Sequence, residues 1–169
     1  MFKTFGLVIM LAFLISGCSS LKSSGADIEV SENNASCSIE YEGYEYLLIK
    51  LKEQANTEMW SPSEFETNKS ELALGGQLII HISGSDIDNV NTKYWEYIIQ
   101  TLDGKEIYRE KGSDDIPEYY VSRLGTTWWN IDIVDLRDKL NSPIKVFVID
   151  KLRQKRSSFI IYPKTKIQN

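Results

Sequence analysis

Several stretches of this chain alternate apolar and polar residues with a period of two, and this pattern constrains the fold more than any other feature. "QLIIHIS" sets Leu78, Ile80 and Ile82 on one face. "TTWWNIDIVD" sets Trp129, Ile131 and Ile133 against Asn130 and Asp132. "PIKVFVID" sets Ile144, Val146 and Val148 against Lys145, Phe147 and Ile149. "YEYLLIKLKEQ" sets Leu47, Ile49 and Leu51 against Lys50 and Lys52. Successive side chains of a strand point to opposite faces, so each stretch reads as a strand with one buried face.

Turn chemistry links these strands. Asp103-Gly104 between alternating arms predicts a two-residue hairpin turn, in which both central residues take positive φ. That register pairs Leu102 with Lys105 and Ile99 with Tyr108, and it places Trp95, Tyr97 and Ile99 on one face. A second hairpin is expected to join 143–150 to 157–162 across the basic loop "KLRQKRS". Gly75-Gly76 reads as a turn, and "SPSEFE" and "DLRDKL" read as short helical turns between strands. Residues 39–163 are long enough for one domain with its own core. The expected class is all-β, a single antiparallel β-sandwich of about seven strands.

This order of strands and turns resembles an immunoglobulin-like or fibronectin type III-like domain. The clearest stretch is "WNIDIVDLRDKLNSPIKVFVID", which looks like a strand, a corner turn and the next strand. Leu140, Asn141 and Ser142 occupy the neighbourhood of the corner tyrosine, and the inter-sheet cysteine pair is absent. The resemblance implies a sandwich and carries over no catalytic residue, because function in such folds sits in grafted sites.

The amino end has the layout of an export signal, 1–17. Lys3 supplies a positive charge, and Phe5 to Ile15 form an apolar run too short for a membrane span, which needs about 20 residues. Ile15-Ser16-Gly17-Cys18 resembles the bacterial lipobox: an aliphatic residue, a small residue, Gly or Ala, then Cys. The resemblance implies cleavage before Cys18 and acylation of its thiol, and several acyl chains on one cysteine anchor stably. Ser19 in the next position resembles the outer-membrane-sorted pattern of Gram-negative lipoproteins, facing the periplasm. Residues 18–38, polar and rich in Ser and Asn, read as a flexible tether; about 20 such residues span roughly 25 Å. Residues 164–169 read as a tail.

Catalytic chemistry finds little footing in the sequence. His81 is the one histidine, and it sits between Ile80 and Ile82 with no glycine-framed nucleophile to serve. With Cys18 acylated, Cys37 has no internal partner; it reads as a small residue near the start of the first strand, or as a thiol for an intermolecular disulfide. Asp86, Asp88, Asn89 and Asn91 offer oxygen ligands in one loop and form a calcium candidate, at a spacing unlike the EF-hand. No cofactor is expected.

Charge and aromatic residues say more about contacts. The whole chain carries −5; with Lys3 before Cys18 and seven bases against one acid in 143–169, residues 18–142 carry −12. The basic loop, with Lys151, Arg153, Lys155 and Arg156, could face anionic lipid or an acidic protein patch. Trp128 and Phe147 alternate away from the faces assigned to the core, and Tyr119-Tyr120 follows Pro117 in an expected loop, so these four mark a candidate partner surface. Nucleic acid is not expected as a partner of an exported, acidic chain. The function expected is a lipid-anchored, non-enzymatic binding or assembly module of the bacterial cell envelope. The alternatives are a small-ligand-binding or inhibitor lipoprotein that uses the loops at one end of the sandwich and, more remotely, a hydrolase.

Overall fold

The computed structural model describes residues 23–164. Lys3, the apolar run 5–15, Ser16, Gly17, Cys18, Ser19 and Lys166 lie outside the described residues. In chain order the elements are β1 (Ser23–Ser24), β2 (Ala26–Asn33), β3 (Cys37–Glu42), α1 (Tyr44–Glu58), α2 (Pro62–Glu71), β4 (Gln77–Gly84) and α3 (Ile87–Val90). There follow β5 (Trp95–Thr101), β6 (Glu106–Lys111), β7 (Glu118–Ser122), β8 (Gly125–Asp135), β9 (Ile144–Asp150) and β10 (Lys155–Pro163). None of the helices among the described residues is long and apolar enough to cross a membrane.

Two sheets face each other across one core and do not close into a barrel. The first has the order β1-β3-β4-β8-β7 and the second β2-β10-β9-β5-β6. Every pairing is antiparallel except the two-residue bridge of β1 to β3. The first sheet turns Ile39, Leu78, Ile80, Ile82 and Val134 inward; the second turns Trp95, Tyr97, Ile99, Val146, Val148, Phe159 and Ile161 to meet them. Burial of these side chains is what holds the layers together, at roughly 1.5–3 kcal/mol for each one removed from water. The alternating faces expected of 78–82, 95–99 and 144–148 are therefore the faces buried.

The face of β8 is inverted relative to the pattern. Asn130, Asp132 and Val134 point into the core, Asp132 only 8% exposed, while Ile131 and Ile133 lie outside at 37% and 54%. The cause is a buried acceptor. Tyr97, fully buried on β5, donates its hydroxyl to Asp132 Oδ2 at 2.8 Å. The same carboxylate accepts from the Ser113 N–H at 3.1 Å, the Ser113 hydroxyl at 3.2 Å and the Ile133 N–H at 3.0 Å. A buried carboxylate with four donors is satisfied, and a one-residue slip would strand it and the tyrosine together. Trp128 accordingly lies on the inner side, packed against the core, and Trp129 on the outer.

Three other expectations are corrected. Residues 44–58 form a helix, not a strand: Leu47 and Leu51, four apart, are its buried pair, and Ile49 is exposed. A run of Lys, Glu, Gln and Ala after Leu51 favours helix, and an apolar spacing of four fits both periods. Ser61-Pro62-Ser63-Glu64 is a full capping box with proline at the first helical position, and it opens a ten-residue helix rather than a short turn. The reverse holds at "DLRDKL", where 136–143 is irregular. Leu136 there exchanges backbone hydrogen bonds with the Gly75-Gly76 turn, at 2.7 and 2.9 Å. Gly76 needs its φ of +85°, and a Cβ there would lie 2.3 Å from the Glu42 carbonyl oxygen.

The expected tether is also partly structured. Ala26, Ile28 and Val30 alternate with Asp27 and Glu29, and β2 pairs along its length with β10. The sandwich therefore has ten strands among the described residues, not about seven. The 102–104 turn differs in detail as well. Ile99 does face Tyr108, but the register shifts after Ile99, and the Thr101 N–H bonds the Lys105 carbonyl at 2.9 Å. Of the turn residues only Gly104 has positive φ, at +90°. The loop has three residues, with glycine in the left-handed position and a bulge beside it. The β9–β10 hairpin forms as expected, with Lys155 opposite Asp150.

The inversion of β8 makes a stability prediction. Ile80→Ala should cost about 2–5 kcal/mol, through lost transfer energy and a cavity. Ile133→Ala, on the outer face, should cost less than about 1 kcal/mol. Urea unfolding of both variants checks this; equal losses would place Ile133 in the core.

Candidate functional site

The most distinctive surface is an arm built by β7 and the start of β8. Pairing of β8 with β4 begins only at Trp128, opposite Gly84. Gly125, Thr126 and Thr127 are paired to β7 alone, through Ser122, Val121 and Tyr120. The sequence forms a hairpin here because aromatic and β-branched residues flank a Ser122–Gly125 turn whose glycine takes a φ of +127°. The Ser122 hydroxyl ties the turn, accepting from the Leu124 N–H and donating to the Gly125 carbonyl, both at 3.1 Å.

All five residues of β7 are exposed. Ile116, Tyr119, Tyr120, Val121 and Leu124 each expose more than half of their surface, Leu124 all of it. Single exposed apolar residues are ordinary, but five within nine positions of one hairpin form a patch of the kind that marks a contact surface. Tyr119 lies directly across from Trp128, their ring centroids 4.8 Å apart at 45°. Trp128 thus ties the exposed ring of Tyr119 to the core, and such a rigid aromatic root suits a binding anchor.

Of the predicted contact residues, the structure brings Tyr119, Tyr120 and Trp128 together, the tyrosines in a strand rather than a loop. Phe147 lies on the other sheet, opposite Ile98 and Ser158. Its ring sits beneath two cations, Lys145 Nζ at 5.1 Å and the Arg156 guanidinium at 5.2 Å from the centroid. Ile116, Val121 and Leu124 were not singled out from sequence; the short run Tyr119-Tyr120-Val121 was the signal that could have found them.

The basic loop is largely answered from within. Lys151 Nζ bonds Glu96 at 3.1 Å, and Arg109 bonds the same carboxylate at 2.9 Å. The two cations hold the Glu96 carboxyl below the usual carboxylate range. Arg153 donates to Asn89 Oδ1 at 2.7 Å and lies 3.6 Å from buried Asp150. Arg156 bonds Glu32 at 2.9 Å, joining β10 to β2. Lys155, exposed and opposite Asp150 in the ladder, makes no ion pair among the described residues. The charge asymmetry seen in the sequence is thus one of chain order: the basic carboxyl-terminal segment folds back onto acids of the earlier part. Each exposed pair adds little stability, but together they leave little uncompensated positive charge for an anionic surface.

Three of the four side chains of the calcium candidate are engaged within the protein. Asp86 Oδ1 caps α3 by accepting the Asp88 N–H at 2.8 Å, and Asn91 Oδ1 accepts the Lys93 N–H at 3.1 Å. Asn89 presents its oxygen to the Arg153 guanidinium, a cation already in place. Among the described residues no group of three or more His, Cys, Asp or Glu side chains could hold a metal ion.

Cys37 and His81 line a cleft of about 480 Å³ with Ser83, Trp129 and Asn130. His81 Nε2 lies 3.5 Å from Glu40. The Cys37 thiol is buried, which pushes its pKa from 9.0 up to about 11. That burial stands against an intermolecular disulfide in the native protein. A second cavity, of about 340 Å³, opens at the opposite end of β8 from the arm. Ile99, Ile107, Tyr108, Leu136, Leu140 and Ile144 line it.

No family model matches the chain, and neither the curated proteins nor the solved structures compared with it include a match.

Cys37 gives a pH signature. Its folded pKa is raised, so its stabilising contribution is complete below pH 9 and is lost as the pH rises through about 11, because the unfolded chain sheds a proton that the folded chain keeps. Cys37→Ala should flatten the decline between pH 9 and 11 in unfolding experiments. Ellman's reagent should label the native thiol at pH 8 far more slowly than the unfolded one; equal rates would contradict its burial.

Proposed function

We propose that this chain is a lipid-anchored, non-enzymatic binding module of the bacterial cell envelope, fixed to the membrane at Cys18 and presenting the β7–β8 arm to a protein partner. The observation that carries the reading is the arm: a hairpin that extends past β4 with its apolar side chains exposed and its aromatic root packed on the core. The sequence Ile15-Ser16-Gly17-Cys18 supports the anchor. The internal ion pairs of Lys151, Arg153 and Arg156 favour the arm over the basic loop as the contact.

The scaffold reads as immunoglobulin-like. Taking β3, β4, β5, β6, β7, β8, β9 and β10 as strands A, B, C, C′, D, E, F and G, the two sheets have the orders A-B-E-D and G-F-C-C′. Buried Trp95 then falls on strand C, where such domains carry their core tryptophan. The two helices α1 and α2 are an insertion between A and B, and β2 is an added strand beside G.

A second reading, capture of a small ligand, is favoured by the cavity of about 340 Å³ with an apolar lining and the 137–139 loop at its rim. Ligand-dependent stabilisation abolished by Leu140→Arg, with arm variants unaffected, would favour it.

Cys18→Ser should abolish acyl labelling, leave an unprocessed precursor and release the chain from membranes. Normal processing and membrane retention of that variant would overturn the anchor. In the lipidated chain, Tyr119→Ala with Leu124→Ser should reduce partner recovery after membrane solubilisation about tenfold, with recovery in the unaltered chain insensitive to salt. Recovery unchanged by the arm variants but lost at high salt would return the contact to charged residues.

A further inference from the structure

We propose that the partner of the arm is a second copy of this chain, paired edge to edge through antiparallel β7 strands about a two-fold axis at Tyr120. The inference rests on the reading of the arm as the contact surface and names its occupant.

The sheet edges differ in how they are guarded. The second sheet ends in β2, with Asp27, Glu29 and Glu32, and in β6, with Glu106, Arg109, Glu110 and Lys111. Charged residues on an edge oppose pairing with another chain. The first sheet ends on one side in β1, only two residues long, and on the other in β7. β7 carries one charge, Glu118, followed by Tyr119, Tyr120, Val121 and Ser122, all exposed. It is the one long edge among the described strands without charges along its centre, and its outer backbone groups have no strand beside them.

The sequence of β7 is self-complementary when antiparallel. With Tyr120 on the axis, Tyr119 falls opposite Val121 of the second copy, Val121 opposite its Tyr119, and Glu118 opposite its Ser122. Aromatic and β-branched residues are favourable cross-strand partners, and no like charges are opposed. Tyr119 shares a face with Trp128, across from it in β8, so the two Tyr–Val pairs would continue that aromatic cluster over the joint. Tyr120, on the opposite face, would meet its own copy. Charge agrees with this direction. The strand has Asp115 and Glu118 toward its start and Arg123 just past its end. Antiparallel pairing sets the acidic end of each copy against the basic turn of the other; a parallel arrangement would set acid on acid. The result is an isologous contact, which closes at two copies and does not propagate.

Disulfide trapping of the full-length chain in detergent tests the register. Tyr120→Cys alone should cross-link to a dimer under mild oxidation. Tyr119→Cys alone should not, whereas an equal mixture of Tyr119→Cys and Val121→Cys should. Cys37 is buried and stays outside the reaction. Val121→Lys places a charge in the edge at an exposed position; it should raise the dimer dissociation constant about tenfold in sedimentation while the far-ultraviolet circular dichroism stays unchanged. Cross-linking without this pattern, or a chain that sediments as a monomer at all concentrations, overturns the dimer. In the monomer case, a loss of partner recovery in the Tyr119→Ala and Leu124→Ser variant would still stand as a separate result for the arm.

Discussion

The hydrogen bond from Tyr97 to Asp132 fixes the rest of the molecule. It joins the two sheets from β5 to β8, each the strand next to an edge of its sheet, where both groups are shut away from water. A carboxylate in that position is tolerated because Ser113 and the Ile133 N–H complete its shell of donors. Desolvation raises the pKa of Tyr97, and the adjacent carboxylate adds to that, so the phenol remains a donor. The bond sets which face of β8 turns inward. It thereby determines that Trp128 braces the arm from the core side while Ile131 and Ile133 look outward. Asp132 also accepts from Ser113, the first residue after Gly112, tying down the start of the connection that leads to β7.

Much of this architecture is legible in the sequence. Regular alternation placed β4, β5 and β9 with the correct faces, because Leu78, Ile80 and Ile82, Trp95, Tyr97 and Ile99, and Ile144, Val146 and Val148 are the inward residues of these strands. The same rule fails at β8, where two inward positions are polar and the apolar ones are outside. Single-sequence periodicity has no term for Tyr97, thirty-five residues away, which makes Asp132 worth burying. At 44–58 a spacing that suits both periods left the choice to composition, and the abundance of good helix formers decided it. At 26–33 the acids of an edge strand masked the alternation beneath them. The Tyr119-Tyr120 pair was legible as a contact candidate, but its role depends on β8 outreaching β4, a property of register that no local pattern carries.

The distribution of charge follows from the same register. Glu96 and Glu32 stand where Lys151, Arg109 and Arg156 can reach them, so cations of β6, the β9–β10 turn and β10 meet acids drawn from β5 and β2. On the outer surface of the second sheet Lys145 and Arg156 lie over the Phe147 ring, and Arg109 stands opposite Ile98. The first sheet has no such cover along β7. One layer is thus closed to further pairing by charge, and the other leaves an open apolar edge at the end of a braced hairpin.

That contrast is the central claim, and amide hydrogen exchange followed strand by strand in the full-length chain tests it most directly. Dilute protein is compared with protein at high concentration. The account predicts that the outward amides of β7 exchange quickly in the dilute state and become protected at high concentration, while those of β2 and β6 do not change. Protection that appears at β2, at β6 or on the outer surface of the second sheet, with β7 still exchanging freely, would contradict it.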